Sequence, residues 1–322
     1  MICLITLKKI LVNIKIGWIT KTNMKIYDCF QFFDEEMLLD LRLNILNKYI
    51  DKFIITEATY SHNGKPKKLI FDINKFSKFK DKIIYIVVDK QPPDILKIYE
   101  SDRNKKDTRG QKLVLNGYKR DNYQRQMAWS ALKDVEPNDW ILINDIDEIP
   151  KLKMVNFKNI KNKIILFEQK MFFYKFNLLY PSINWFGSKA CKKKNFLSPQ
   201  WLRNIRQKKY PFWRLDTFFS KKKYSDVSII KDGGWHFTNI KSPEDIEKKL
   251  LNYTHHYEFE QSGIKINDLQ SKIKEKVILY DHSKDQKDNK WSSNTKLVKL
   301  DLSEMPKYLK ENLNKYKNWI DT

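Results

Sequence analysis

The sequence has few cysteines and none of the glycine-based motifs that mark several large enzyme classes. Its three cysteines, Cys3, Cys29 and Cys191, are too few and too scattered for a disulfide framework or a zinc module. There is no Gly-Lys-Ser/Thr phosphate loop, no Gly-x-Ser-x-Gly elbow and no Cys-x-x-Cys pair. These absences disfavour phosphate binding by a glycine loop and acyl transfer through a serine elbow, and the cysteine usage fits a reducing compartment.

Long apolar runs are also missing. Residues 1–23 have apolar character, but Lys8, Lys9 and Lys15 divide them into pieces too short to span a bilayer. They lack the ordered regions of a signal peptide. We therefore interpret 1–23 as a doubtful extension before a domain that starts at Met24, with a weak membrane-surface anchor as the alternative. A cytoplasmic location is expected over the lumen of the secretory pathway.

The chain is strongly basic, with 62 Lys and Arg residues against 39 Asp and Glu residues and a formal net charge of +23. Such an excess is typical of proteins that bind nucleic acid, an anionic membrane or a phosphate-bearing substrate. The lysines are scattered along the whole length, whereas a nucleic-acid site concentrates charge on one face. We therefore expect no nucleic-acid partner, and coding bias in an AT-rich genome is the alternative source of the charge.

Short apolar runs alternate with helical stretches in the first half of the chain. Strands are predicted at 25–30, 53–56 and 82–89, and apolar residues at helical spacing predict a helix over 37–46. This alternation predicts a mostly parallel sheet with crossover helices. Ligands of such sheets bind at the carboxyl ends of the strands.

The segments that follow the third strand are of mixed character. Residues 91–117 are interpreted as a long polar loop, and 118–135 are predicted to form a helix. Residues 177–225 are loop-rich and aromatic, which suits a pocket for sugar rings or ordinary core packing. Ser242 is a plausible N-cap of a helix over 243–257, because Pro243 suits the first helical position.

The strongest functional signal lies between residues 139 and 150. The apolar run 140–143 is typical of a strand buried on both faces, and acids follow it directly. Alternation along a strand puts Asp145 and Asp147 on the same side. Two carboxylates there form half of a site for Mg²⁺ or Mn²⁺, with water and a substrate phosphate as further ligands. A solvated strand end is the alternative.

A second distinctive cluster is Gly233-Gly234-Trp235-His236-Phe237. The glycines permit a tight turn or a close approach of the backbone. Imidazole is a suitable ligand for Mn²⁺, so His236 is a candidate third metal ligand. A histidine that is hydrogen-bonded inside a packed site is the alternative.

Five blocks of the sequence together resemble glycosyltransferase family 17, whose members are similar to the β-1,4-N-acetylglucosaminyltransferase that adds the bisecting sugar to N-glycans. The resemblance covers roughly residues 24–260 and leaves 261–322 as a Lys-rich, helical C-terminal extension. The blocks are YDCFQFFDEEMLLDLRLNIL, FIITEATYSHNGKPKKLIF, KIIYIVVD, WILINDIDEIP and GGWHF.

The resemblance implies an α/β structure of the A-type glycosyltransferase fold, with a Rossmann-like sheet flanked by helices and an irregular, aromatic-rich acceptor half. It implies UDP-GlcNAc as the sugar donor, a glycan as the acceptor, Mn²⁺ (or Mg²⁺) as the cofactor and inversion at the anomeric carbon. It leaves the oligomeric state open.

The resemblance also assigns residues to the metal and the donor. Asp145 and Asp147 match the acidic metal motif of the family, and Asp145 is also a candidate donor contact. His236 falls in its Gly-Trp-His block, and Glu57 is a candidate for donor contact.

Inverting transfer also needs positive partners for the diphosphate and a general base for the acceptor hydroxyl. Arg120 and Arg125 are the candidate diphosphate partners, with a solvated helix face as the alternative. Glu148 and Asp232 are the candidate bases, with Asp216 a weaker option, and Glu148 alternatively caps a following helix.

Two other functions remain open from the residues. A metal-dependent phosphoryl-transfer enzyme, such as a nuclease or phosphatase, also needs clustered acids. A non-catalytic carbohydrate-binding protein on the same fold is the third possibility. Retention of Asp145, Asp147 and His236 together argues against the loss of activity.

Overall fold

A computed structural model of the protein describes residues 24–104, 106–282, 291 and 293–322. The predictions for Cys3 and for residues 1–23 lie outside this part. The described chain forms one ten-stranded sheet in the order β10-β7-β6-β8-β4-β1-β2-β3, with β9 beside β6 and β5 beside β9. The strands are β1 (Ile26–Phe32), β2 (Lys52–Ala58), β3 (Ile83–Val88), β4 (Trp140–Ile143), β5 (Glu148–Pro150), β6 (Ile164–Phe173), β7 (Leu178–Trp185), β8 (Lys189–Lys192), β9 (Val227–Thr238) and β10 (Val298–Lys299).

Eight α-helices flank the described sheet. Several short 3₁₀ segments accompany them, including one at Met127–Leu132. The helices are α1 (Glu36–Leu46), α2 (Lys106–Gln126), α3 (Pro199–Asn204), α4 (Pro243–Asn252), α5 (His256–Ser262), α6 (Ile266–Lys274), α7 (Lys307–Glu311) and α8 (Leu313–Tyr316).

The N-terminal half of the sheet is parallel, as the alternating pattern predicted. Strand β1 pairs in parallel with both β2 and β4, and β2 pairs in parallel with β3. The carboxyl ends of these four strands therefore meet at one edge of the sheet.

The prediction of a mostly parallel sheet is wrong for most of the C-terminal half, although β6 and β9 do pair in parallel. Strand β8 runs antiparallel to β4 and β6, and β7 runs antiparallel to β6. The connection from β6 to β7 is too short for a crossover helix, so these strands return directly beside each other. Strands β7 and β8 lie in the region that was expected to be irregular.

Alternate side chains of the central strands enter two different cores. Trp140 and Leu142 of β4 pack on the same side as α1, whereas Ile141 and Ile143 pack with the 3₁₀ segment Met127–Leu132 and helix α3. All four side chains are fully buried. This confirms the prediction of a strand buried on both faces, and it fixes where the acids after β4 emerge.

Helix α4 begins as the sequence predicted. The Ser242 hydroxyl accepts a hydrogen bond from the Asp245 N–H at 3.2 Å, and Pro243 occupies the first helical position. The long loop expected over 91–117 is wrong in its second part, because α2 starts at Lys106. The polar composition of that segment concealed a helix whose inner face contacts the sheet only through a few residues.

The C-terminal segment joins the main body of the protein. Strand β10 pairs with β7, and Met305, Leu309 and Tyr316 belong to the same core as α1. The division of the chain at 260 remains a prediction. None of the described helices combines the length and the apolar character needed to span a bilayer.

Two of the cysteines are buried as free thiols. Cys29 on β1 and Cys191 on β8 both pack in the core around α3. Burial raises the pKa of each thiol well above its ordinary value. These thiols therefore act as small apolar groups of the core.

Candidate active site

A cleft of about 760 Å³ opens at the carboxyl edge of the parallel strands. Gln31, near the end of β1, and Phe33, which follows β1, lie at its wall, and Asp145 and Asp147 follow β4. His236 of β9 lines the cleft from the other half of the sheet. The structure thus brings together the two motifs that the sequence separates by about ninety residues.

Strand pairing holds His236 beside the acidic motif. Glu148 of β5 is opposite His236 of β9, and the Phe237 N–H donates to the Asp147 carbonyl oxygen at 2.8 Å. Gly234 has φ +150°, and a Cβ there would lie 2.3 Å from the Ile149 carbonyl oxygen. The close approach of β9 to β5 therefore requires glycine, as the sequence suggested.

Asp147 is buried between two nitrogen groups. Its Oδ1 lies 3.6 Å from His236 Nε2, and its Oδ2 lies 3.7 Å from Lys249 Nζ. Burial alone would raise the pKa of Asp147, but His236 and Lys249 outweigh it and hold this pKa below its ordinary value. Asp147 is therefore a carboxylate at neutral pH.

The ring of His236 is fixed by stacking. Its centroid lies 4.9 Å from that of Trp185, with an angle of 29° between the planes. Its Nε2 faces Asp147, and its Nδ1 is buried without a hydrogen-bond partner. A buried nitrogen without a partner is costly, and such groups concentrate at functional sites.

Asp145 is engaged by two arginines. Its Oδ2 lies 2.6 Å from Arg203 Nη2, and its Oδ1 lies 3.2 Å from Arg125 Nη2. Arg125 is held in turn by Asp121 through two contacts of 3.0 and 3.1 Å. The predicted donor-binding residue Arg125 therefore lines the cleft, but in this structure its charge faces carboxylates.

Glu148 is fully buried and saturated with donors. Its carboxylate accepts from Arg203 at 2.7 and 2.9 Å, from Trp185 Nε1 at 2.6 Å and from the Asp145 N–H at 2.7 Å. Although burial opposes ionisation, Arg203 lowers the pKa of Glu148 to about 2. In this structure the Glu148 carboxylate holds the loop that carries Asp145, and its assignment as the general base stays a prediction.

Gly187 makes this arrangement possible. A Cβ there would lie 1.8 Å from Glu148 Oε1 and 2.4 Å from Trp185 Nε1. The Gly187 carbonyl oxygen also accepts from Arg203 Nη1 at 2.7 Å. A backbone without a side chain is therefore needed where Arg203 and Trp185 meet the Glu148 carboxylate.

A buried ion pair between Arg42 and Asp28 holds the backbone of the acidic loop after β4. Arg42 of α1 donates to both Asp28 oxygens, at 2.8 and 2.6 Å, and to the Glu148 carbonyl oxygen at 2.6 Å. Arg42 and Asp28 are fully buried. Because Arg42 also contacts the carbonyl oxygens of Asp145 and Ile146, it fixes the backbone of the acidic loop.

Two predicted site residues lie away from the cleft. Glu57 accepts from the N–H groups of Ile70 and Phe71 at 2.9 and 3.1 Å and from Tyr85 Oη at 2.8 Å, so it anchors a neighbouring segment. Arg120 donates to Gln91 Oε1 at 2.7 Å and to the His62 carbonyl oxygen at 3.1 Å. Neither forms part of the cleft wall.

The remaining base candidates are also elsewhere. Asp232 forms ion pairs with Lys151 and Lys170, and Asp216 forms ion pairs with Arg214 and Lys223. The cleft wall includes neither acid. Both carboxylates therefore form ion pairs outside the cleft wall, and their assignment as the base stays a prediction.

Asp145, Asp147 and His236 differ in how well they suit a bound divalent cation. Within the described ranges, no three His, Cys, Asp or Glu side chains gather closely enough to hold a metal ion. Asp147 and His236 do form a pair, and one carboxylate with one imidazole suits an ion whose other ligands are water and phosphate. The pair therefore fits a divalent cation, whereas Asp145 faces two arginines and does not fit as a direct ligand.

Comparison with known proteins identifies the family. A model of glycosyltransferase family 17 matches residues 9–320, which is most of the chain. The chain belongs to glycosyltransferase family 17. The match begins within the stretch interpreted as an N-terminal extension and continues through the Lys-rich C-terminal segment.

Three mammalian proteins match the chain at low identity. The human and rat proteins named beta-1,4-mannosyl-glycoprotein 4-beta-N-acetylglucosaminyltransferase are each 24% identical over 233 residues, which is 66% of this chain and 40% of the relative. The mouse protein matches to the same extent. The family-17 chain thus spans about two fifths of the length of the curated relatives it matches.

A solved structure of HddC from Yersinia pseudotuberculosis is also similar, at 9% identity and a TM-score of 0.31, over 65% of this chain and 91% of that one. A score this low carries no argument. The described part of this family-17 chain is a mixed α/β structure with one large sheet flanked by helices.

Proposed function

We propose that this family-17 chain is a metal-dependent, inverting glycosyltransferase that moves N-acetylglucosamine from UDP-GlcNAc to a hydroxyl of a glycan. The observation that carries the proposal is the pairing of Asp147 with His236 at the carboxyl edge of the parallel strands, beside Lys249 and Arg203. The mammalian relatives are named as N-acetylglucosaminyltransferases, which supports the donor sugar, and the family membership argues against the phosphoryl-transfer alternative.

The cleft combines carboxylates that can bind a cation with Lys and Arg side chains that can bind a diphosphate. Burial opposes the charge of Lys249, but Asp147 and Glu35 outweigh it and raise the Lys249 pKa. Lys249 is therefore an ammonium group that can donate to phosphate oxygens once a cation takes its place at Asp147. Arg203 and Arg125 line the same cleft and add positive charge near Asp145.

Asp147 and His236 are the residues that would hold Mn²⁺ (or Mg²⁺). When bound, such an ion stabilises the negative charge of a departing nucleoside diphosphate as a Lewis acid. Asp145 is proposed to act on the donor through Arg125 and Arg203 instead. In this arrangement the charged side chains have fixed positions, and the cleft walls orient the sugar donor.

Inversion requires a base on the side of the sugar opposite the diphosphate. With Glu148, Asp216 and Asp232 set aside, the acids of the described cleft wall outside the Asp-x-Asp motif are Glu35, Asp121 and Asp281. Asp121 holds Arg125, and Asp281 accepts from Tyr180 Oη at 2.7 Å. These three carboxylates limit the search for the base to a small set of substitutions.

The proposal is tested by measuring UDP release from UDP-GlcNAc with a glycan acceptor, with and without Mn²⁺. Asp147→Asn should lower the turnover by at least about 100-fold, because it removes a charge from the cation site. Asp232→Asn is the matched control: Asp232 has φ +47°, a conformation that asparagine tolerates, and it lies outside the cleft. Equal activity of the two variants would contradict the assignment of Asp147 to the cation site.

A further inference from the structure

An exposed aromatic loop connects α3 to β9. We define it as residues 206–224. Two backbone hydrogen bonds close its base, from Arg206 N–H to the Lys222 carbonyl oxygen at 2.8 Å and from Tyr210 N–H to the Tyr224 carbonyl oxygen at 3.0 Å. The loop is therefore a defined projection, whose tip contains a short 3₁₀ turn at Leu215–Thr217.

The tip presents large apolar side chains to solvent. Five of them lie within eight residues, and they are 68% to 91% exposed: Phe212, Trp213, Leu215, Phe218 and Phe219. Single exposed apolar residues are normal on a protein surface, but a contiguous group of this size marks an interaction site. Leaving five such side chains in water has no benefit for the isolated fold.

Basic residues surround this apolar tip. The loop contains seven Lys and Arg residues and a single acid, Asp216. That acid is neutralised within the loop, because Arg214 and Lys223 lie 2.8 and 2.7 Å from its Oδ2. The basic residues are Arg206, Lys208, Lys209, Arg214, Lys221, Lys222 and Lys223.

We propose that the aromatic loop binds the surface of an anionic lipid bilayer. Phe and Trp side chains partition into the interfacial region of a membrane, and flanking lysines gain energy from anionic headgroups. A second copy of the chain is a poorer occupant, because a two-fold contact would place two strongly basic loops against each other. An acidic protein partner is the other source of complementary charge, and the test below distinguishes it.

Membrane binding would bear on the choice of acceptor. Asn204, at the end of α3, and Gln207, within the loop, both line the cleft. A loop held at a bilayer would therefore keep the cleft close to glycans that are attached to membranes. This consequence rests on the proposed function, whereas the membrane binding itself does not.

Vesicle flotation of the full chain tests the proposal. Vesicles of phosphatidylcholine with 30% phosphatidylglycerol, used as the probe at about 0.1 M salt, should carry the protein, and Trp213→Ser with Phe219→Ser should lower the binding at least tenfold. Met154→Ser with Val298→Ser is the matched control, because both side chains are exposed apolar residues outside the loop. Residues 1–23 are present in every variant, so their contribution cancels.

Four results would overturn the proposal. Equal vesicle binding by the loop variant and the wild type would show that the loop does not insert. Equal binding to pure phosphatidylcholine would remove the role of the lysines. If the wild type binds no vesicles but self-associates, and the loop variant does not self-associate, the loop forms a contact between copies of the chain. If the wild type neither binds vesicles nor self-associates, an acidic protein partner is the occupant.

Two control measurements keep the outcomes separate. The loop variant should have the thermal midpoint of the wild type, since its substituted side chains pack against little. It should also release UDP with a soluble acceptor at the wild-type rate. Failure of UDP release in the wild type itself would reject the proposed function and leave the vesicle result standing.

Discussion

Arg203 bridges the two acids on either side of Asp147: its Nη2 lies 2.6 Å from Asp145 Oδ2, and its Nη1 lies 2.7 Å from Glu148 Oε2. One guanidinium therefore binds Asp145 and Glu148 and leaves Asp147 to face His236. This contact divides the Asp-x-Asp motif into Asp145, which binds arginine, and Asp147, which faces His236 and Lys249.

Removal of Arg203 should destabilise the fold and the site together. Arg203→Ala leaves the fully buried Glu148 carboxylate without its main partner, and breaking a buried pair in this way costs about 3–5 kcal/mol. Urea unfolding measures the loss. Arg214→Ala is the matched control, because it breaks an exposed pair with Asp216, and its urea midpoint should be nearly unchanged. Similar midpoints for both variants would contradict the role of Arg203.

Gly187→Ala should separate steric crowding from backbone strain. The added Cβ would meet Glu148 Oε1 and Trp185 Nε1, so we expect a loss of activity of at least tenfold and a destabilisation of about 1–3 kcal/mol. Gly263→Ala is the comparison, because Gly263 has φ +72° and a Cβ added there would meet no atom within 4 Å. That variant should lose about 1 kcal/mol through strain and retain full activity. Full activity of Gly187→Ala would show that the Glu148 contacts are dispensable.

Lys189 should make stability depend on pH. Its buried Nζ donates to the carbonyl oxygens of Arg203 and Ile205, and burial, reinforced by the charge of Arg203, lowers the Lys189 pKa to about 7. The unfolded chain has a lysine pKa of about 10.4. Between these values the unfolded state binds more protons, so the free energy of unfolding should rise with pH by roughly 1 kcal/mol per pH unit.

Unfolding in urea at pH 7, 8 and 9 measures this slope. The free energy of unfolding should not rise with pH in Lys189→Met, whereas it should rise as in the wild type in the surface variant Lys158→Met. The difference between wild type and Lys189→Met isolates this one group, because all other groups are shared. A wild-type slope that persists in Lys189→Met would assign the pH dependence to other residues.

The parallel half of the fold was predictable because its signals are local. Strand β4 is an uninterrupted apolar run, and helix α4 carries its own cap in Ser242 and Pro243. The antiparallel half was not predictable in this way. Strand β7 mixes buried residues with exposed ones, and on its other edge it pairs with β10, which is more than a hundred residues away in the sequence (Leu179 with Val298).

The site shows the same division between local and long-range signals. Asp147 and His236 belong to compact sequence motifs, and the structure places both in one cleft, while their role as metal ligands stays a prediction. Arg203 and Lys249 lie on helices with no distinctive pattern, and only the fold brings them to Asp145 and Asp147. Glu57 shows the converse case: an acid near a strand end resembles a site residue in the sequence, but in the structure its carboxylate accepts from the N–H groups of Ile70 and Phe71, from Tyr85 and from Lys67.

The central claim is that Asp147 and His236 hold a divalent cation that binds the diphosphate of the sugar donor. Calorimetric titration of the protein with UDP, with and without Mn²⁺, tests it most directly and needs no acceptor. We expect Mn²⁺ to tighten UDP binding at least tenfold in the wild type and in Asp232→Asn, and to have no effect in His236→Ala or Asp147→Asn. Equal UDP affinity with and without Mn²⁺ in the wild type would contradict the account.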